Sequence, residues 1–313
     1  MGRAAYIRKR LLLSVFVLFG VTIVIFGMVH FLPGDPATVL LGDRATVQNI
    51  ATLREQLGLN RPLPEQYWLF VSGLVQGQMG TSLVFRQPVK DMVLSRVPIS
   101  IGLAVYAMSL AGAITLTFGL LAAVNKGRWV DQLIRIVFLF ALTTPGFWFG
   151  ILLIMVLSLT LKWFPVAGFG GTFQEHVWYL FLPALTLSMQ LSAVLIRNLR
   201  SQVILTSRSD FVRTARAKGL FERMVLFRHI LRNALLSTVT IFGLQFGFLV
   251  GGTLVIETVF AVPGMGQLLF TSITSRDYPV VQAITVVSAV LVIIVNLIVD
   301  LSYSFLDPRV TYD

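Results

Sequence analysis

Apolar residues recur along this chain in six long runs, at 11–32, 99–124, 136–161, 177–196, 234–256 and 280–299, separated by polar stretches. A helix needs about 20 residues to cross the roughly 30 Å hydrocarbon layer of a bilayer, so each run is long enough to span. The pattern predicts an all-α, polytopic membrane protein with six transmembrane helices. Pro145 and Gly146 fall inside the third run and Pro183 inside the fourth. Each proline removes a helix hydrogen bond and tends to kink the helix. On the fifth run Gly243, Gly247, Gly251 and Gly252 set small residues about four apart, a surface for close approach of the fourth or sixth helix or of a second subunit.

The connector 33–97 is long but not featureless. Val47, Ile50, Leu53 and Leu57 recur at helical spacing, and Gly58 and Pro62 supply a stop. Tyr67, Trp68, Phe70 and Val71 predict a second amphipathic helix lying on the membrane interface, where aromatic rings are favoured. The chain thus divides into an N-terminal stretch 1–10, a first helix 11–32, a cap 33–97 and a five-helix core 98–313 that carries a basic loop at 197–232.

Charge orients this arrangement. Arg3, Arg8, Lys9 and Arg10 precede the first run, and Lys126, Arg128 and Arg135 fall in the second connector, whereas the third and fifth connectors hold only Lys162 and Arg276. The bias of Lys and Arg toward cytoplasmic flanks places both termini and the basic loop in the cytoplasm; the cap carries six basic residues, but a connector of that length crosses regardless of charge. Hydrophobic residues make up 56% of the 313 positions and charged residues 12%. The net charge of +11 is not the mark of a nucleic-acid partner, because nine of the 25 Lys and Arg lie in 197–232 and four in the first ten residues, where topology demands them. With no cysteine, disulfide and thiol chemistry is excluded. The first run is too long for a signal peptide and no small-x-small cleavage site follows it.

Within the basic loop, SDFVRTARAKG at 209–219 reads as a short helix with defined ends. Ser209 or Asp210 can cap its first N–H groups, Gly219 can take the left-handed conformation past the last turn, and Lys218 sits where the helix dipole favours a cation. At 100° per residue Phe211, Val212, Ala215 and Gly219 share one narrow face flanked by Arg216 and Lys218, while Asp210, Arg213, Thr214 and Ala217 point elsewhere. Such a helix is too short to span and too slight to lie in lipid, which leaves a groove on a soluble partner or a solvated basic loop.

FVRTARAKG followed by FRHILRNALL resembles the EAA loop of ABC-importer permeases, in the version of the dipeptide, oligopeptide, nickel and glutathione branch. LPGDPA, GLNRPLPEQY, QMGTS and RVPIS in the cap, IETVFAVPGMG with RDYP before the last run, and NLIVDLSYSFLDPRV at the end are similar to that family too. The resemblance implies a type I ABC importer permease fold in a bacterial inner membrane, with residues 209–219 forming a coupling helix. It implies as partners a homologous second permease subunit, two cytoplasmic ABC ATPases that bind the ATP and magnesium, an extracytoplasmic substrate-binding protein and membrane lipid. One departure stands out: Ser237 occupies a position where the family usually has proline, so the fifth helix is expected to start less abruptly.

Glu257, near the outer end of the fifth run, has three competing roles open to it: substrate contact, pairing with Arg276, or capping of the Pro263–Gly264 turn. Gln190, Gln245 and Asn296 either line a path or make interhelical hydrogen bonds. Asp300 is expected to pair with a basic residue. The sequence has no phosphate-binding Gly-x-x-x-x-Gly-Lys-Ser/Thr loop, so ATP hydrolysis would belong to partner subunits, and His30, His176 and His229 lie in separate segments without metal-ligand spacing. An ion-coupled secondary transporter would need broken helices in inverted repeats and intramembrane carboxylates. A membrane scaffold would leave the VPGMG turn without purpose. A peptide is the expected substrate by resemblance, with nickel complexes, glutathione or opines as alternatives.

Overall fold

The computed structural model describes residues 3–31, 36–41, 46–56 and 58–306. In chain order the helices are α1 (Arg3–Phe31), α2 (Pro36–Leu41), α3 (Val47–Gln56), α4 (Leu63–Val75), α5 (Val89–Ile114), α6 (Leu120–Val124), α7 (Trp129–Thr143), α8 (Gly146–Leu153), α9 (Phe173–Thr206), α10 (Asp210–Ala217), α11 (Glu222–Met224), α12 (Arg232–Gly252), α13 (Leu254–Val259), α14 (Met265–Thr274) and α15 (Tyr278–Leu306). Short π-helical stretches carry α5 into α6 and α11 into α12. The helical fold class is as the pattern predicts. Leu57, residues 32–35 of the LPGDPA phrase and the tail from 307 lie outside the described residues, as does the side chain of Asp300.

Five helical stretches are long and apolar enough to cross a membrane, and the third predicted run accounts for a sixth only if a bent pair is counted as one span. There the sequence pattern needs correction. The run 136–161 is not a kinked helix but two, α7 and the stretch from Gly146 to Thr160, meeting at 113°. The residue before a proline is driven out of the helical region, and Thr144 is extended with ψ 131°. Its freed carbonyl accepts a hydrogen bond from the Gln190 side-chain amide at 3.1 Å, so Gln190 serves an interhelical bond. Pro183, by contrast, is buried inside an uninterrupted α9. That helix starts at a reciprocal cap: Thr172 Oγ1 accepts from the Glu175 N–H at 3.3 Å, and Glu175 accepts from the Thr172 N–H at 3.0 Å and the Gly171 N–H at 2.7 Å. At 1.5 Å per residue, its 34 residues make a rod of about 51 Å.

The chain forms two compact units. Among the described residues the first comprises 3–99 and 264–294. In it α4 lies on α1: the Tyr67 hydroxyl is 2.9 Å from that of Thr22, and the Tyr67 ring meets Phe26 edge-on at 5.4 Å. A helix thus forms where the second one is predicted, with Tyr67 spent on α1 and Trp68 left exposed. Val89 and Val93 pack with Met265, Leu268, Val280 and Ile284 in the same unit. Asp277, just before α15, is fully buried and accepts from the Ser82 hydroxyl at 2.5 Å and the Leu83 N–H at 3.2 Å.

Among the described residues the second unit comprises 100–263 and 295–306, with α9 at its centre and α6, α7, α8 and α12 packed on it. The fifth span starts at Glu222, well before the predicted 234, and Ser237 sits inside α12 with its hydroxyl 3.4 Å from the Asn198 side chain. The helix passes this position unbroken, as the missing proline leads one to expect. Gly247 on α12 faces Asn296 of the sixth span so closely that a Cβ would collide with its side-chain oxygen. The small-residue surface thus serves the sixth helix at this point.

Candidate functional site

α10 is the element that 209–219 predicted, and its C-terminal end is built as expected. Gly219 has φ +78°; its N–H bonds to the Arg216 carbonyl at 2.9 Å, and that of Leu220 to the Ala215 carbonyl at 3.4 Å. This pair of bonds is a Schellman cap, which a left-handed glycine makes without steric cost. The other end differs. Ser209 holds the N-cap position, yet its hydroxyl donates backward to the Thr206 carbonyl at 2.6 Å, and neither Ser209 nor Asp210 caps a helix N–H through its side chain. Asp210 instead stands in solvent, 3.4 Å from Arg213. Thr214 donates to the Asp210 carbonyl at 3.0 Å.

The orientation of α10 reverses the expected one. Val212 and Ala215, the centre of the small face, are 0% and 6% exposed and pack with Leu199 and Val203 of α9, Val225 and Ile230. That face is therefore filled by the chain itself and is not available to a partner. A short amphipathic helix has one apolar stripe, and the nearest apolar surface here is the overhanging end of α9. Asp210, Phe211, Arg213, Thr214, Arg216, Ala217, Lys218 and Gly219 are the exposed positions, with Phe211 48% exposed despite its place in the predicted stripe. Arg216 grips Glu222 through Nε at 2.8 Å and a second nitrogen at 3.3 Å, which ties the end of α10 to α11.

A second polar device lies on the same unit. The Asp131 side chain is 1% exposed and receives Arg200 Nε at 2.7 Å, a second Arg200 nitrogen at 2.6 Å and the Gly127 N–H at 2.8 Å. In the charge pattern Arg200 is one more topological cation, and Asp131 does not stand out. Nothing local sets Asp131 apart, since an acidic residue in the first turn of a helix is common and α7 carries Gln132 and Arg135 as well. The pair fastens the first turn of α7 to α9, and the Gly127 bond adds the connector before it, about two turns ahead of the end of α9.

The other candidates do not gather around α10. Glu257 is fully buried and accepts the Thr253 hydroxyl at 2.9 Å one turn earlier, while its carbonyl takes the Val262 N–H at 2.8 Å. The turn that leads to Pro263 is thus held by the backbone carbonyl at 257, while the carboxylate meets Thr253. Gln245 is half-buried on α12, two residues from Gly247, and Asn296 is exposed against Gly247. Among the described residues no cluster of His, Asp and Glu could hold a metal.

Residues 115–312 match the family described as binding-protein-dependent transport system inner membrane component, and residues 4–104 match its N-terminal companion. The chain is 41% identical over 307 residues to the glutathione transport system permease protein GsiC of Escherichia coli O6:H1, covering 98% of this chain and 99% of that one. The same protein of Escherichia coli K12 gives the same identity and coverage. Among solved structures, the inward-facing MetNI methionine ABC transporter aligns with a TM-score of 0.58 at 15% identity, over 70% of this chain and 98% of that one. An amino acid ABC transporter solved with histidines aligns at 0.54 and 14% identity, over 68% and 94%. These two speak for the fold alone. Apolar spans, fold and relatedness over nearly the whole length agree, and the chain belongs to the binding-protein-dependent transport system inner membrane components, the permease subunits of ABC importers.

Proposed function

We propose that this permease forms half of the translocation pathway of an importer for peptides, with glutathione the first candidate, and that α10 is its contact with the ATPases. The observation that carries the second part is the double character of α10. Its inner face is locked to α9 through Val212 and Ala215, and its outer face presents Phe211, Arg213 and Thr214 on a helix with a fixed end. A helix anchored in this way moves with α9 as one body. ATP-driven closure of two ATPases on either side of a permease pair would then tilt α9 and switch the pathway between inward and outward openings, a two-state change biased from a distance. The distribution of Lys and Arg supports a cytoplasmic position for α10 and for both termini. ATP and magnesium would be held by the ATPases, and an extracytoplasmic binding protein would deliver substrate to the side of α3 and α4.

The relationship to GsiC at 41% identity favours glutathione within the peptide class. The experiment is to co-express the chain with its second permease, ATPases and cognate binding protein, and to measure ATP-dependent uptake from a panel of glutathione, di- and oligopeptides and nickel complexes. Glutathione uptake that stops when ATP is withheld is the expected result. Ion-driven flux without ATPases, partners without flux, or nickel uptake without peptide uptake would overturn the proposal.

A further inference from the structure

α7 and α9 run antiparallel side by side and leave between them a groove of about 480 Å³. Its composition changes sharply along its length. At the end near the Asp131–Arg200 pair it is lined by Arg135 and Arg197; further along, Ile136, Leu139 and Leu142 of α7 face Ile196 of α9. Ile136 and Leu139 are 65% and 59% exposed, as befits side chains that meet hydrocarbon. Arg135 and Arg197 are exposed, and neither makes an ion pair or a hydrogen bond among the described residues. The nearby carboxylate is fully engaged elsewhere, since both Asp131 oxygens are taken by Arg200 and Gly127. Two cations converge at the lip of an apolar slot, and among the described residues Asp131, its oxygens already committed to Arg200 and Gly127, attracts Arg135 only from a distance.

We infer that this groove is a binding site for an anionic phospholipid, its phosphate between Arg135 and Arg197 and its acyl chains along Ile136, Leu139 and Leu142. Basic pockets between membrane helices on the cytoplasmic side suit anionic headgroups, and each arginine near the surface adds about 1 kcal/mol of attraction. A free phosphate would satisfy the arginines but leave the slot unfilled, whereas a zwitterionic lipid would fill the slot but bring its own cation to the lip. The inference rests on the proposed cytoplasmic position of the basic loop. It predicts that the site is occupied in the assembled importer, because ion pairing at the lip and burial of hydrocarbon in the slot act on the same molecule.

The test uses the assembled permease and ATPase complex, reconstituted in phosphatidylcholine containing phosphatidylglycerol and then studied by native mass spectrometry for retained lipid. Phosphatidylglycerol should be retained over phosphatidylcholine and should resist displacement by inorganic phosphate. Arg135→Gln with Arg197→Gln should weaken its retention about thirty-fold, and Arg135→Lys with Arg197→Lys should keep it. Leu142→Ser, which leaves both arginines in place, should weaken it as well, so the site can be probed even if the double glutamine variant assembles poorly. Equal retention of the two lipids, displacement by phosphate, or a groove filled by the second permease subunit would overturn the inference. Phosphatidylglycerol selectivity in a chain that purifies without ATPases would leave the lipid site standing and remove the proposed function instead.

Discussion

Asp131 and Arg200, 69 residues apart, are joined by hydrogen bonds of 2.7 and 2.6 Å that turn the first turn of α7 and the central helix α9 into one piece. Removing one partner of a buried pair leaves the other charge without compensation, at a cost of roughly 3–5 kcal/mol. Because Arg200 retains 21% exposure, the lower end applies. Asp131→Asn should therefore lower the melting temperature of the detergent-solubilised protein clearly, and Asp210→Asn, which breaks an open surface pair, should leave it unchanged. Equal shifts in the two variants would show that the buried pair contributes nothing special.

The reversed face of α10 separates folding from coupling. Ala215→Asp places a carboxylate among Leu199, Val203 and Val225 and should destabilise the chain by roughly a few kcal/mol, seen as lost yield and aggregation on heating. Phe211→Ala and Arg213→Glu change exposed side chains and should alter stability by no more than about 0.5 kcal/mol. Both should reduce ATPase co-purification and ATP-dependent uptake. If Ala215→Asp folds normally while the exposed changes are silent in uptake, α10 is not the coupling element.

Asp277 holds the loop after Gly80 through Ser82 and Leu83. Asp277→Ala leaves these buried donors unanswered, at about 1–3 kcal/mol for such a group. Limited proteolysis should then cut between residues 81 and 88 at protease levels that spare the parent protein. Unchanged resistance would mean that the loop is held by its apolar contacts alone.

Gly247 and Asn296 offer a paired test of helix packing. Gly247→Leu should impair assembly of the second unit because the Asn296 side chain occupies the space, and adding Asn296→Ala should recover part of the loss. No recovery in the double variant would place the constraint elsewhere.

Topology is checked by single cysteines, which this cysteine-free chain accepts without background. Glu55→Cys should react with an impermeant thiol reagent from outside intact cells, and Lys218→Cys only after the cytoplasm is opened. Reaction of both from one side would sink the proposed orientation.

The apolar spans were legible because an unbroken apolar run of about 20 residues suits little besides a bilayer, and the smooth start of the fifth was foreshadowed by Ser237. The break at Thr144 was half legible: Pro145 announced a disturbance, but not that Gln190 of another helix would donate to the freed carbonyl. What misled was α10. An apolar stripe of Val212 and Ala215 says that a face will be covered and not by what, and the cover came from the end of α9 and from Val225. The ion pair and the Asp277 clasp were illegible for a simpler reason, since each joins residues 69 or 195 positions apart whose own neighbourhoods carry no trace of the partner.

That last separation bears on how the chain is made. Ser82 leaves the ribosome 195 residues before Asp277, and at about 5–20 residues per second the delay is roughly ten to forty seconds. For that period the loop that ends up clasped has no carboxylate to receive its hydroxyl and N–H. Early helices can enter the membrane meanwhile, but the first unit cannot close until the final helix has begun to emerge. The loop at 81–88 is therefore the last part of the first unit to be fastened, and chains truncated before Asp277 should carry it open and sensitive to protease.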